Sequence, residues 1–268
     1  MPHSKQAQYS AAHRANTVGE VLTGSALQSL LVAGNPTIEC LLASAERIKT
    51  DKVREVLVAT LPNDEKLLCK VHKEIGVIAR LRCWLLASKA ERGHIKNKQL
   101  TQLGFNGPVS TGYILRNRYG RDCDSIHFTQ FFDDAETVEA ILRENSINND
   151  ELLSQLAGLL SALHGKGYVH GDAKLSNFLV VNNTLTVIDL DGFSAFSRKW
   201  TPARDIARVL TGLSEESVSK ATMAEFLQRY CDSAGLSLPT LKKELQPLIE
   251  KFQSKHQQKY GIAPVDIV

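Results

Sequence analysis

No apolar run in this 268-residue chain approaches the roughly 18 residues that a membrane-spanning helix needs. The most apolar early stretch, residues 18–33, is interrupted by Glu20, Thr23, Ser25, Gln28 and Ser29. It has neither the cationic start nor the small-residue cleavage site of a secretion signal. It reads as a short amphipathic helix packed on the first part of the chain, with contact to a membrane surface as the alternative. Paired cysteines are missing too. Cys40, Cys69, Cys83, Cys123 and Cys231 make an odd number without a C-x-x-C spacing. That excludes a disulfide framework and a zinc site of the usual pattern and leads to the expectation of a reduced, cytoplasmic protein.

Aromatic-rich basic patches and known nucleic-acid motifs are absent as well, so no nucleic-acid partner is expected. Charge is nevertheless uneven. Residues 46–127 carry 16 Lys plus Arg against 9 Asp plus Glu, whereas residues 128–268 carry 14 against 18. Much of the excess is a solvated helix face around residues 89–98, but a cationic first half also attracts anionic ligands. The 43% hydrophobic and 23% charged content is ordinary, and the length allows a sizeable core in one or two domains.

What is present is concentrated in His170-Gly171-Asp172-Ala173-Lys174-Leu175-Ser176-Asn177 and in Asp189 of Val187-Ile188-Asp189-Leu190-Asp191-Gly192. Phosphoryl transfer from a nucleotide asks a protein for positioned charge rather than covalent chemistry. Asp172 is the candidate to orient an acceptor hydroxyl and take its proton. Lys174, two residues on, can neutralise a γ-phosphate. Asn177 offers an amide oxygen to magnesium. Strands at 178–181 and 185–188, with Asn182-Asn183-Thr184 as the turn, return Asp189 to the same place. Asp191 adds a second carboxylate. The segment before the loop, residues 150–166, carries Leu152, Leu153, Leu156, Leu159, Leu160 and Leu163 at helical spacing, so these are core. His164 and Tyr168 read as packing residues.

The pattern resembles the protein-kinase-like superfamily, with its H-R-D-x-x-x-x-N loop and D-F-G metal motif. His170, Asp172, Lys174, Asn177 and Asp189 fall on the matching positions. Gly171 stands where regulated kinases carry an Arg that pairs with a phosphorylated activation loop, and Asp-Leu-Asp-Gly replaces Asp-Phe-Gly. The resemblance implies ATP and Mg2+ as cofactors. Residues 54–61 and 66–71 around Pro62-Asn63-Asp64-Glu65 read as a hairpin, and the resemblance makes Lys70 on its second strand the grip on the α/β-phosphates. Glu91, on a helix at 88–103 with Ser88 as N-cap and Gly104 as C-cap, is then its acidic partner, with Glu74 as the alternative. No glycine occurs from Ile48 to Arg54, where such a fold covers the nucleotide with a glycine-rich loop. The strand at 125–132 is expected to lead into a hinge just after Gln130.

Between Gly192 and Asp205 there is no Ala-Pro-Glu and little chain for a peptide platform. That short segment, the His-Gly-Asp loop and Arg204-Asp205-Ile206-Ala207-Arg208 resemble the lipopolysaccharide core kinases. So do the Ser88-Lys89-Ala90 and Leu103-Gly104-Phe105-Asn106-Gly107-Pro108 ends of the Glu91 helix, the likeness covering residues 48–210. The resemblance implies phosphorylation of a heptose or Kdo hydroxyl, a core glycolipid as partner, and peripheral contact with the cytoplasmic face of the inner membrane. It makes His170 and Asp205 supports of the loop. A helix N-cap is the alternative role of Asp205. Arg198, Lys199 and Arg204 face an anionic glycolipid or plain solvent.

The expected fold is therefore α+β and two-lobed: an extension at 1–44, a mainly β lobe at 45–127 with one key helix, and a helical lobe at 128–268. An atypical Ser/Thr protein kinase and a non-catalytic kinase-like module are the alternatives.

Overall fold

The computed structural model describes residues 38–61, 63–74, 87–118, 122–144 and 149–260. The helix expected at 18–33 lies outside the described residues. By its contacts the chain divides into two compact units, Met1–Gln99 with Pro108–Phe132, and Leu100–Gly107 with Asp133–Val268. Among the described residues, no helix is long and apolar enough to cross a membrane.

The first unit is built on an antiparallel sheet of β1 (Glu46–Thr50), β2 (Arg54–Thr60), β3 (Lys66–Glu74), β4 (Ser110–Arg118) and β5 (Asp122–Gln130), in the order β1-β2-β3-β5-β4. Alternation along the strands sorts its two faces. Leu67, Cys69 and Val71 of β3, with Ile126 and Phe128 of β5, join Leu57, Ala59 and Ile114 in one apolar cluster. Helix α1 (Ile38–Ser44) adds Ile38 and Leu41 to it. Burial raises the Cys69 thiol to about 12, which makes it an inert core residue. The expected hairpin pairs β2 with β3 from Arg54↔His72 to Thr60↔Lys66. Its predecessor turns at Asp51, whose Oδ1 accepts from the N–H groups of Val53 (3.0 Å) and Arg54 (2.7 Å), so the β1–β2 turn closes without glycine.

The opposite face is polar and lies against α2 (Lys89–Gln102). Ser88 caps this helix by accepting from the Glu91 N–H (3.0 Å), and Gly104, at φ +84°, ends it. The Ala90 N–H donates to Ser125 Oγ (3.4 Å), and a Cβ added to Gly93 would stand 2.8 Å from His127 Nδ1, so α2 approaches β5 at a point only glycine permits. Ser110 Oγ lies 2.7 Å from His94 Nδ1 and 2.8 Å from His127 Nε2. A hydroxyl both donates and accepts, so it links two neutral imidazoles.

The second unit is helical around a larger apolar cluster. Its elements are α3 (Val138–Glu144), α4 (Asn149–Gly165), α5 (Pro202–Glu215), α6 (Lys220–Ala234) and α7 (Leu238–Tyr260). They enclose a small sheet of β6 (Glu136–Thr137), β8 (Phe178–Val181) and β9 (Thr184–Val187), while β7 (Tyr168–Val169) pairs with β10 (Ser194–Ala195). Leu153, Leu156, Leu160 and Leu163 of α4 are all buried, as their spacing requires. Each such leucine contributes about 1.5–3 kcal/mol on burial. The β8–β9 turn is one residue shorter than expected: Thr184 pairs with Val181, leaving Asn182 (φ 49°) and Asn183 (φ 58°) as a two-residue left-handed turn.

Burial, with Lys70, His94 and His72 nearby, holds the His127 imidazole down at about 3, against 6.5 for the free group. Above pH 6.5 folded and unfolded forms are both neutral there. As pH falls below 6.5 the unfolded chain gains a proton that the folded form refuses until near 3, so stability is lost across that window, by at most about 1.4 kcal/mol per pH unit. Melting curves from pH 8 to 4 should show this decline, with a shallower slope in His127→Gln; equal slopes in the two proteins would count against it.

Candidate active site

The two motif segments are the arms of one loop-hairpin-loop unit. The chain leaves β7 through residues 170–174, makes a 3-10 turn at Leu175–Asn177, runs through β8 and β9, makes a second 3-10 turn at Leu190–Gly192 and returns in β10. The β7–β10 pair, with Val169 opposite Ser194, closes the base. Further up, the Ile188 N–H donates to the Asn177 carbonyl (3.0 Å). The arms touch most closely at two glycines. A Cβ on Gly171, which sits at φ +81°, would overlap the Gly192 carbonyl oxygen, and one on Gly192 would lie 2.8 Å from the Gly171 carbonyl carbon. The absence of an Arg at position 171 therefore has a steric cause besides any regulatory one.

His170 is fully buried and bridges the arms with its ring. Nε2 donates to the Ile188 carbonyl (3.0 Å), because a carbonyl can only accept, and Nδ1 receives the Asp172 N–H (3.3 Å). One tautomer of the neutral ring satisfies both. Burial lowers its pKa and outweighs the carboxylates of Asp205, Asp172 and Asp189, which pull the other way. Those opposing pulls put Asp172 and Asp189, one from each arm, within electrostatic reach of a single imidazole.

Asp205, 1% exposed, lies in the first turn of α5. The N-cap is Thr201, whose hydroxyl accepts from the Arg204 N–H, so the alternative reading of Asp205 as the cap is not the arrangement found. Asp205 instead accepts from the His170 N–H (2.6 Å) through Oδ2 and from the Gly171 N–H (2.9 Å) through Oδ1. His164 Nε2 stands 3.4 Å from the same Oδ2, and its Nδ1 is 2.8 Å from the Tyr230 hydroxyl. His164 thus belongs to a buried hydrogen-bonded chain behind the loop, a role that reading it as a packing residue missed. Tyr168 does pack, stacked on Phe193 at 5.4 Å.

With its backbone fixed, Asp172 turns a half-exposed carboxylate outward. Lys174 Nζ lies 2.8 Å from Oδ2 and Arg208 Nε 3.6 Å from Oδ1. Arg208 had no assigned role in the sequence; the signal was its spacing of three from Asp205, which puts both on one helical face. Asn177 Nδ2 donates to the Asp172 carbonyl (2.8 Å). The amide cannot be turned the other way without opposing two acceptors, so its oxygen is directed elsewhere and accepts no hydrogen bond among the described residues. That oxygen suits a hard cation. Asp189 is held in the left-handed region (φ 55°, ψ 61°), a conformation that costs a non-glycine residue on the order of 1–2 kcal/mol. Asp191 is exposed in the second 3-10 turn. Among the described residues no three His, Cys, Asp or Glu side chains gather as a metal cage. An amide oxygen with one or two carboxylates fits magnesium, which takes much of its coordination from substrate phosphates and water.

Lys70 and Glu91 belong to the first unit. Lys70 sits opposite His127 across the β3–β5 pair, so it shares the α2 side of the sheet, and Glu91 lies half-buried in the first turn of α2. Glu74, the alternative partner, ends β3.

No protein-family model and no curated protein sequence matches this chain. Solved structures do. WaaP in complex with acyl carrier protein is 18% identical at a TM-score of 0.62, covering 90% of this chain and 99% of that one. Amicoumacin kinase hAmiN in complex with AMP-PNP, Ca2+ and Ami is 12% identical at a TM-score of 0.52, covering 90% and 95%. The chain is similar to both over nearly its whole length, and its fold is the α+β, two-lobed kinase-like one.

The Gly171 contact gives a direct test. Gly171→Ala should lower stability by about 2 kcal/mol or more in urea unfolding, since it adds both a left-handed alanine and a backbone overlap. A loss below about 0.5 kcal/mol would mean the arms are not in contact.

Proposed function

We propose that this chain is an ATP-dependent phosphotransferase acting on a sugar hydroxyl, heptose or Kdo, of the lipopolysaccharide inner core. The observation that carries the proposal is the outward carboxylate of Asp172, flanked by Lys174 and Arg208 on a loop whose backbone is pinned from behind. The kinase-like fold and the lipopolysaccharide core kinase resemblance of the motifs support it. A magnesium–ATP complex, when bound, supplies the phosphoryl group and the counter-charge it needs.

In this reading Asp172 accepts a hydrogen bond from the acceptor hydroxyl, aligns its oxygen and takes its proton as the new O–P bond forms and the bond to the ADP oxygen breaks. Lys174 and Arg208 hold the Asp172 carboxylate in place, and Lys174 is long enough to swing to a phosphate oxygen. Asn177 and Asp189 would hold the cation, with Asp191 as a further carboxylate. Lys70 is the proposed phosphate grip and Glu91 the residue that orients it.

The acceptor class rests on how little chain follows the second motif. From Phe193 to Trp200 there is only β10 and a turn closed by Ser197 and Trp200 before Thr201 caps α5. A peptide platform needs more. An atypical Ser/Thr protein kinase would use the same residues but leave phosphate on a protein, and a non-catalytic module would consume no ATP.

The test is to incubate the protein with ATP, magnesium and a panel of core glycolipids and to locate phosphate by mass spectrometry. Phosphate on a heptose or Kdo is the expected outcome, and phosphate on protein alone would overturn the acceptor assignment. Asp172→Ala should cut kcat by about 10²–10⁴-fold with the melting temperature nearly unchanged. Wild-type turnover in that variant would remove Asp172 from the chemistry.

A further inference from the structure

Beside Asp172, α5, the residues leading into it and α7 hold a row of cations against aromatic rings. Arg204 has its guanidinium carbon 5.6 Å from the Trp200 ring centre and 5.4 Å from that of Phe252. Arg208, one turn further along α5, lies 5.5 Å from the same Phe252 ring. Lys199 Nζ is 4.8 Å from the Trp200 ring. Two guanidinium groups are thus drawn to a single ring whose negative face tolerates both. The row reaches the candidate base through the Arg208 Nε, 3.6 Å from Asp172 Oδ1.

Helix stability does not account for Arg204. It occupies the first turn of α5, where the helix dipole disfavours a cation by a few tenths of a kcal/mol to about 1 kcal/mol. Among the described residues no carboxylate pairs with it, and its neighbour Asp205 is committed to the backbone of the catalytic loop. Its aromatic contacts position a planar donor whose N–H groups meet no acceptor among the described residues. A guanidinium so placed is suited to bind a carboxylate or phosphate through paired hydrogen bonds.

Building on the phosphotransferase reading above, we propose that Arg204, positioned by Trp200 and Phe252, anchors an anionic group of the acceptor sugar, with Arg208 continuing the site to Asp172. The acceptor is then an acidic saccharide: a carboxylate or phosphate holds it on α5 while a hydroxyl reaches Asp172. Arg204 contributes to acceptor affinity and selectivity and has no part in nucleotide binding.

The experiment uses a deacylated, Kdo-bearing core oligosaccharide in native, carboxyl-reduced and dephosphorylated forms, titrated by calorimetry into the full chain and into Arg204→Gln, Arg204→Lys and Lys243→Gln, the last as an equal loss of charge elsewhere. Wild type should bind the native form and lose roughly tenfold in affinity with one of the two altered forms, which identifies the anion as carboxylate or phosphate. Arg204→Gln should bind the native form roughly tenfold more weakly and no longer distinguish the altered form, and Arg204→Lys should fall between. Lys243→Gln should stay within about twofold of wild type, and the KM for ATP should be the same in all four proteins. Equal affinity of wild type and Arg204→Gln, indifference of wild type to both anions, or no binding at all would overturn the anchor. Binding as expected without phosphate transfer would sink the phosphotransferase reading and leave the anion site standing.

Discussion

Two backbone N–H groups, those of His170 and Gly171, share the carboxylate of Asp205, and the geometry of the candidate site follows from that arrangement. A loop that leaves a strand carries amides with no ladder partner, and a buried unpaired amide costs about 1–3 kcal/mol. One carboxyl side chain on α5 satisfies both and is backed by His164, which in turn meets the Tyr230 hydroxyl. With the loop pinned on its inner side, His170 can reach across to the Ile188 carbonyl and Asp172 is turned outward. The chemistry proposed for Asp172 thus rests on a buried carboxylate thirty-three residues further along.

The second arm is fixed by complementary means. Its approach to the first is set by Gly171 against Gly192, where neither residue leaves room for a side chain. Asp189 is kept in a left-handed conformation that costs any residue bearing a Cβ, with Ile188 tied at both its N–H and its carbonyl. Strain of this kind persists where the surroundings over-determine the backbone, and such positions concentrate at functional sites.

Much of this was legible in the sequence, because the informative signals were local. The leucine spacing of α4, the Ser88 and Gly104 ends of α2 and the presence of a turn at Asn182-Asn183, though read one residue too long, each report a conformation within a few residues of themselves. The motif residues 170–177 and 189–192 were readable for the same reason. The contacts between distant segments were not. Nothing near Gly171 announces Gly192 as its neighbour, and His164 looks like any other histidine on a leucine-rich helix until Asp205 and Tyr230 are seen beside it. Strand β4 was passed over because Ser110–Arg118 mixes glycine, serine and charge without clean alternation. Its Ser110 owes its place to two histidines from other elements. Arg204 and Arg208 were visible as charge, but the aromatic rings that give them direction come from residues 200 and 252.

The Asp205 carboxylate holds the 170–174 loop through the His170 and Gly171 amides. Residue-resolved hydrogen exchange measures this directly. Both amides should exchange as slowly as those in the middle of α4, and in Asp205→Ala they should exchange at least a hundredfold faster while the α4 amides keep their protection. Exchange of the His170 and Gly171 amides in the wild-type protein at the rate of a solvent-exposed loop would contradict it.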